Sequence, residues 1–354
     1  MKRAVLSDIH GNLEALEAVF RDIDRRNDRG EGIEEILCLG DVFGYGPNPR
    51  ECADLVRRRC AVVLAGNHEL GTLQKLKTPR LGLGRATGFS GLGAREGILW
   101  AIHQMYRDAT PVTKEDDFTR GLIEKVKDPD FEARLARDLS ARLPKGSALR
   151  LPLKERLLKG EGNIVRQFVE KLLLNAEARA VVQEFIEKIH ARREGDEWAA
   201  YLSTLSKSAR VDGALLVHDN PFEPGDAKYV LDTPSQERLK PGYSTHSVEN
   251  VFAEFDWKDT QLVFFGHSHF PGVYTDKNRP GAVIANPGSV GIPRGERLES
   301  TYLIWNPAGR APRQALRLIR IPLPRWEVTG RKMEEAGLPN KLKVAAEKAC
   351  RELD

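Results

Sequence analysis

Residues 1–20, MKRAVLSDIHGNLEALEAVF, decide the fold. Arg3 to Ser7 is a short apolar run of strand length. It breaks into the polar, glycine-containing loop Ser7-Asp8-Ile9-His10-Gly11-Asn12. Leu13, Leu16, Val19, Phe20 and Ile23 then recur at the 3.6-residue period of a helix, which the spacing predicts over Leu13 to Arg25. The same grammar repeats twice. A strand at Ile36 to Leu39 enters the loop GDVFGYGPN, followed by a helix from Pro49 to Arg59; a strand at Ala61 to Ala65 then enters GNHE, residues 66–69. Strands alternating with helices imply an α/β architecture with a mainly parallel sheet. In open sheets of that kind ligands gather at the loops after the strands' carboxyl ends.

Outward from this stretch, a glycine-rich segment runs from Gly82 to Gly93 and a helix is expected from about Ala94 to Tyr106. From Arg107 to Glu197 strand signals almost vanish, Leu, Glu, Lys and Arg dominate, and helical spacing recurs in Phe131 to Leu143 and Ile164 to Ile189. This reads as an α-helical insertion, with three open roles: a cap over the site, a docking surface, or a solvated elaboration. Strand punctuation resumes after Gly213 with ALLVH, QLVFFGHSH, AVIANPGSVG, STYLIW and ALRLIRI. The expected plan is a discontinuous core of residues 1–106 and 198–324, the insertion 107–197, and a C-terminal helical extension 325–354.

The bulk numbers exclude several classes. In 354 residues, 41% are hydrophobic and 30% charged, as in ordinary globular proteins. No run of eighteen apolar residues occurs, so no transmembrane helix is expected, and the apolar start is too short for a signal peptide. Four cysteines without C-x-x-C spacing point to no disulfide framework and to a cytoplasmic setting. A formal charge of +4 permits an anionic substrate without demanding nucleic acid.

The chemistry lies in five short motifs, each after an expected strand: Asp8-x-His10, Gly40-Asp41, Gly66-Asn67-His68-Glu69, Val217-His218 and Gly266-His267-x-His269. Five of the eight histidines fall inside them, too many for scattered surface positions. Divalent metals are held by carboxylate oxygen, imidazole nitrogen and amide oxygen, and the motifs supply all three. Two such ions within about 4 Å call for a shared anionic ligand, most naturally a carboxylate. Taken singly each motif is weak, because Gly-Asp is usually a turn and a lone strand-end histidine is usually just hydrogen-bonded. Their order along the chain carries the signal.

The segments LSDIHGNLEALEAV, LGDVFGYGPNP, LAGNHEL, LLVHDNP, FFGHSHFP and ANPGSVGIPR resemble those of the calcineurin-like metallophosphoesterases. The closest likeness is to the bacterial and archaeal branch related to diadenosine tetraphosphate hydrolases. The resemblance covers residues 1–106 and about 198–306. It implies a four-layer αββα sandwich with two divalent metal ions at the strand ends. Asp8, His10 and His269 would hold one metal, Asn67, His218 and His267 the other, and Asp41 would bridge them. It further implies hydrolysis of phosphomonoesters or phosphodiesters, by in-line attack of a hydroxide between the metals. His68 resembles the histidine that protonates the leaving oxygen, so Asp41 and His68 are the expected catalytic pair. The oxygen and imidazole mixture suits manganese first, with Fe, Zn, Ni or Co also compatible.

Departures from the family pattern narrow the substrate. Where the protein-phosphatase branch has a second Asp and a phosphate-gripping Arg, this chain has Gly44 and Tyr45, which argues against protein phosphatase activity. After His218 comes Asp219-Asn220-Pro221 in place of Gly-Ser-Pro. The extra carboxylate either disfavours highly anionic substrates or caps a turn. Asn12, Tyr45 and Arg294 are candidates for substrate contact. His103, His190 and His246 have no partner motif, and Cys38 belongs to a buried strand. Arg313, Arg317 and Arg320 are expected to alternate on one strand face, as a solvated face or a nucleic-acid footprint. A small, nucleotide-like phosphate ester is the favoured substrate. A nuclease and a non-catalytic protein-interaction scaffold on the same fold are the alternatives, and any protein partner of the insertion is unknown.

Overall fold

The computed structural model describes residues 1–77, 101, 133–135, 137, 141, 197–232, 245–294, 297–308, 311–323, 326–336 and 338–340. Met1–Gln104 and Trp198–Asp354 form one compact unit and Met105–Glu197 a second. The expectations for the glycine-rich segment, the helix at 94–106 apart from the helical Ala101, and nearly all of the insertion fall outside the described residues, as do His103 and His190. Among the described residues no helix is long and apolar enough to cross a membrane.

Two five-stranded sheets build the first unit. β1 (Lys2–Leu6), β2 (Ile33–Cys38), β3 (Val62–Val63), β11 (Glu299–Trp305) and β12 (Leu316–Pro322) form one sheet in the order β12-β11-β1-β2-β3. β4 (Ser208–Val211), β5 (Ala214–Val217), β8 (Leu262–Phe264), β9 (Gly272–Thr275) and β10 (Val283–Asn286) form the other in the order β4-β5-β8-β10-β9. β6 (Tyr229–Leu231) and β7 (Thr245–Ser247) pair separately. The strand–helix repeats give the parallel pairs β1–β2 and β2–β3, as expected. The sheets as a whole are mixed rather than mainly parallel, because β11, β12, β4 and β9 join antiparallel. The expectation rested on the first 66 residues, where a helix follows each strand; the later strands β4–β5 and β11–β12 follow each other directly, and hairpin-linked neighbours run antiparallel.

Side-chain alternation along the strands separates the layers. Leu216, Phe264, Val283 and Ala285 pack with Val5, Leu37 and Leu303 of the other sheet in one apolar cluster. The alternate positions Leu215, Val217, Val263, Phe265 and Ile284 pack on Val251 and Phe252 of the helix Val248–Glu254. On the other side α1 (Leu13–Asp28) turns Ala15, Leu16, Val19, Phe20 and Ile23 inward, over β2 and β11. α2 (Pro49–Arg59) buries Cys52, Ala53 and Val56 beside α1. The result is the expected helix–sheet–sheet–helix sandwich. Each fully buried Leu, Val or Phe contributes about 1.5–3 kcal/mol, so the sheets form a rigid base for the loops they end in.

The basic stripe does not form. Arg313 lies in the turn before β12, and Arg317 and Arg320, three residues apart, do not share a strand face. Arg317 pairs with Glu31 and Arg320 with Glu299 at 3.6 Å, as a solvated strand face would. The C-terminal extension contains the helix Trp326–Glu335.

Candidate metal centre

Every motif residue leaves a sheet at the carboxyl end of a strand. β1 delivers Asp8 and His10, β2 delivers Asp41, and β3 leads to Asn67 and His68 at the start of α3 (Asn67–Lys77). β5 ends one residue before His218, and β8 runs on to His267 and His269. All seven expected ligands, and His68, are buried. Asp8, His10, Asp41, His267 and His269 all hold left-handed backbone, with φ between 51° and 65°. Such a conformation costs an L-residue about 1–2 kcal/mol, and clusters of it mark functional sites.

The two aspartates are used alike. One oxygen of each ties loops together, and the other faces imidazole. Asp8 Oδ2 accepts the His267 amide at 3.0 Å, while Asp8 Oδ1, buried and without a hydrogen-bond donor, lies 3.3 Å from His269 Nε2. Asp41 Oδ1 accepts the His68 amide at the start of α3 at 2.9 Å, and Asp41 Oδ2 lies 3.3 Å from His218 Nε2 and 3.7 Å from His10 Nε2. Gly66 permits the approach, since a Cβ there would fall 2.2 Å from Asp41 Oδ1.

The ring nitrogens follow from their neighbours. Nδ1 of His10 faces the Phe43 carbonyl at 2.9 Å, Nδ1 of His269 the Ile292 carbonyl at 2.6 Å, and Nδ1 of His218 the Leu39 carbonyl at 3.1 Å. Each Nδ1 therefore donates, and in the neutral rings Nε2 keeps its lone pair. His10 Nε2 and His269 Nε2 face each other at 3.0 Å beside Asp8 Oδ1. Lone pairs so placed repel unless a cation joins them, so the donors fit a divalent metal. Asp8, His10 and His269 present ligand atoms within 4.8 Å of one another; so do Asp41, His218 and His267, and also His10, Asp41 and His68. Asn67 Oδ1, 3.3 Å from His218 Nε2, adds amide oxygen to the second set.

Residues 1–131 match the family model described as calcineurin-like phosphoesterase. Over that stretch, a little over a third of its length, the chain is similar to that family. A metallophosphoesterase of Sphaerobacter thermophilus shares the fold, with a TM-score of 0.51 and 22% identity over 99% of this chain and 98% of its own. A hypothetical protein of Pyrococcus horikoshii gives a TM-score of 0.49 and 15% identity over 96% and 95% of the two chains. An uncharacterised protein of Methanocaldococcus jannaschii is 53% identical over 72 residues, 20% of this chain and 28% of that protein's length. His218, His267 and His269 lie beyond the stretch that the family model matches, so their place in the site rests on the geometry above.

Electrostatics in the site reflect crowded buried charge. Burial, and then the neighbouring carboxylate of Asp41, raises Asp8 to about 7 despite the pull of His218. Burial also acts on Asp41, but the imidazoles of His218, His68 and His10 outweigh it and hold that carboxyl well below its ordinary value. Burial would lower His218; the charges of Asp41 and Asp8 reverse this and raise it to about 10. His10 is driven down to about 3 by burial and then by His68, so it is neutral and its 3.7 Å approaches to Asp8 and Asp41 are not ion pairs.

The softer candidates divide. Tyr45, with φ 58°, packs edge-on against His10 at 4.7 Å and lies 5.0 Å from the His68 ring, inside the site. Arg294 is half-buried, two residues beyond the Ile292 carbonyl that orients His269. Asn12 is buried; its Oδ1 caps α1 through the Ala15 amide and its Nδ2 donates to the Gly291 carbonyl, a role in the fold. Asp219 caps a turn, since its carboxylate accepts the amides of Asn220, Gly225 and Ala227. Cys38 is buried, as its strand implied. His246 sits by Phe222, 4.9 Å between ring centres.

Sequence reasoning missed Glu69. Its buried carboxylate accepts the amides of Asp41, Val42, Phe43 and Gly66 at 2.7–3.1 Å, fixing two ligand-bearing loops at once. Burial, then the charge of Asp41, raises it to about 7 against those donors. An acidic residue in a helix's first turn looks ordinary in sequence, and nothing there signals four amide partners.

Proposed function

We propose that this chain is a calcineurin-like phosphoesterase, a dinuclear metal-dependent hydrolase of small phosphate esters with nucleotide-like substrates favoured. The observation that carries the reading is the pair of imidazole lone pairs facing each other at 3.0 Å beside Asp8, with a second donor set sharing Asp41. Asp8, His10 and His269 would hold one ion and Asn67, His218 and His267 the other, with Asp41 common to both. Two divalent ions there, manganese favoured, would acidify a water and offset charge on the phosphoryl oxygens. The chain's own residues do the rest. Backbone carbonyls of Phe43, Leu39 and Ile292 hold three imidazoles with Nε2 inward. His68, anchored by its amide to Asp41, would hand a proton to the leaving oxygen.

Gly44 and Tyr45 stand where a protein phosphatase would grip phosphate, and Gly44 lets His68 approach: a Cβ there would fall 1.9 Å from His68 Nδ1. Arg317 and Arg320 are each paired with an acid, which removes the basic stripe that a nuclease reading would use. The test is a panel of p-nitrophenyl and alkyl phosphate monoesters and diesters with manganese restored to metal-free protein. His68→Ala should keep the metal content and lower turnover by about 10²–10⁴-fold on alkyl esters, but less on p-nitrophenyl esters, whose leaving group needs no proton. Equal losses on both would remove the acid role, and no metal-dependent turnover on any ester would sink the enzyme reading.

A further inference from the structure

We infer that Asp219 is a positioning residue for the second metal half-site: it shapes the 219–227 loop so that the Ala227 carbonyl fixes the His267 ring. This rests on the dinuclear reading above. Asp219 follows His218 directly and is buried. Its Oδ1 accepts the amides of Asn220 and Gly225 at 2.8 and 3.0 Å, and its Oδ2 those of Gly225 and Ala227 at 2.9 and 2.7 Å. With its oxygens aimed into the loop, the carboxylate is an organiser rather than a ligand. Asn220 reinforces it by accepting the amides of Phe222 and Glu223, both at 3.0 Å.

The loop ends at Ala227, held at φ 60°, a conformation that an alanine keeps only when its surroundings impose it. The Asp219 carboxylate on its amide is such an imposition. The consequence lies on the other side of the residue, where the Ala227 carbonyl is 3.2 Å from His267 Nε2. A carbonyl accepts and cannot donate, so Nε2 carries the proton and Nδ1 is the ligand nitrogen. His10, His218 and His269 have the reverse arrangement, with Nδ1 at a carbonyl. Tyr229, two residues on, stacks on the His267 ring at 4.0 Å and fixes its plane. One carboxylate thus sets the tautomer and tilt of a ligand that lies 40 or more residues along the chain from every residue it touches.

The experiment titrates metal-free wild type, Asp219→Asn and the milder Asp219→Ser with Mn(II) by calorimetry, and records ¹⁵N imidazole spectra of the zinc-loaded proteins. Wild type should bind two ions, with His267 protonated at Nε2. The variants should bind one ion as wild type does and the other about 10–100-fold more weakly, with the His267 signals altered and those of His10 unchanged. Two ions bound with unchanged affinity in both variants would overturn the role of Asp219 while leaving the dinuclear reading intact. Equal weakening of both ions would reduce Asp219 to a general structural residue. Should neither variant fold, the wild-type spectrum still decides, because His267 metallated through Nε2 contradicts the arrangement. Wild type saturating at one ion would instead be a failure of the dinuclear reading itself.

Discussion

Glu69 and Asp219 solve one problem in two places. Each is a buried carboxylate that ligates nothing and gathers backbone amides. Glu69 takes four, from Asp41, Val42, Phe43 and Gly66, and so fixes the loop of Asp41 directly. Asp219 takes three, from Asn220, Gly225 and Ala227, and reaches His267 only through the Ala227 carbonyl. Glu69 lies within the stretch that the family model matches; Asp219 lies outside it. The difference teaches that the first half of the site is built by a compact clamp between adjacent strands β2 and β3, whereas the second is built by a loop that has been bent to shape.

Breaking the clamp should have the larger effect. In Glu69→Gln an amide NH₂ must replace either Oε1 or Oε2, and each of those oxygens accepts two backbone amides. Two buried donors lose their acceptor, which should cost about 3 kcal/mol of stability. Turnover should fall as well, since Asp41 is no longer held. Urea unfolding of the metal-free protein checks this, and a change under about 0.5 kcal/mol with normal turnover would show the clamp to be incidental. Breaking the Asp219 loop should be milder, confined to one ion.

The smallest effect is on pH dependence, and it separates the halves differently. In metal-free protein Asp8 is raised to about 7 and His218 to about 10, whereas His10, lowered to about 3, is already neutral. Metal requires the ionised carboxylate and the neutral imidazole. Binding at pH 7 must therefore displace a proton from His218 and part of one from Asp8, and affinity should rise with pH. The His218 contribution persists up to about pH 10, and the Asp8 contribution adds below about pH 7, each by at most about tenfold per pH unit. Calorimetry in buffers of different ionisation enthalpy measures the released protons; affinity flat from pH 6 to 8 would contradict the assigned charge states.

Much of this was legible in the sequence because strand ends and ligand types are local signals. Asp8, His10, Asp41, Asn67, His218, His267 and His269 could be read from motifs, and the structure gathers them because parallel strands place their carboxyl ends together. The organisers were not legible. Asp219 was noticed as a departure, but whether its charge faced substrate or backbone depends on the path of the loop. The role of Glu69 was passed over, since a hydrogen bond between distant loops leaves no spacing to detect. The antiparallel edges were missed for the same reason that the core was found: the first repeats are strand–helix–strand, and the later hairpins are not.

The central claim is that the seven donors form two metal sites sharing Asp41. Metal-free protein titrated with Mn(II) and followed by elemental analysis after removal of free ion tests it most directly. The account predicts saturation at two ions per chain, and a clear loss of bound metal when Asp41 is replaced in Asp41→Ala. Saturation at one ion, with Asp41→Ala binding as wild type does, would contradict it.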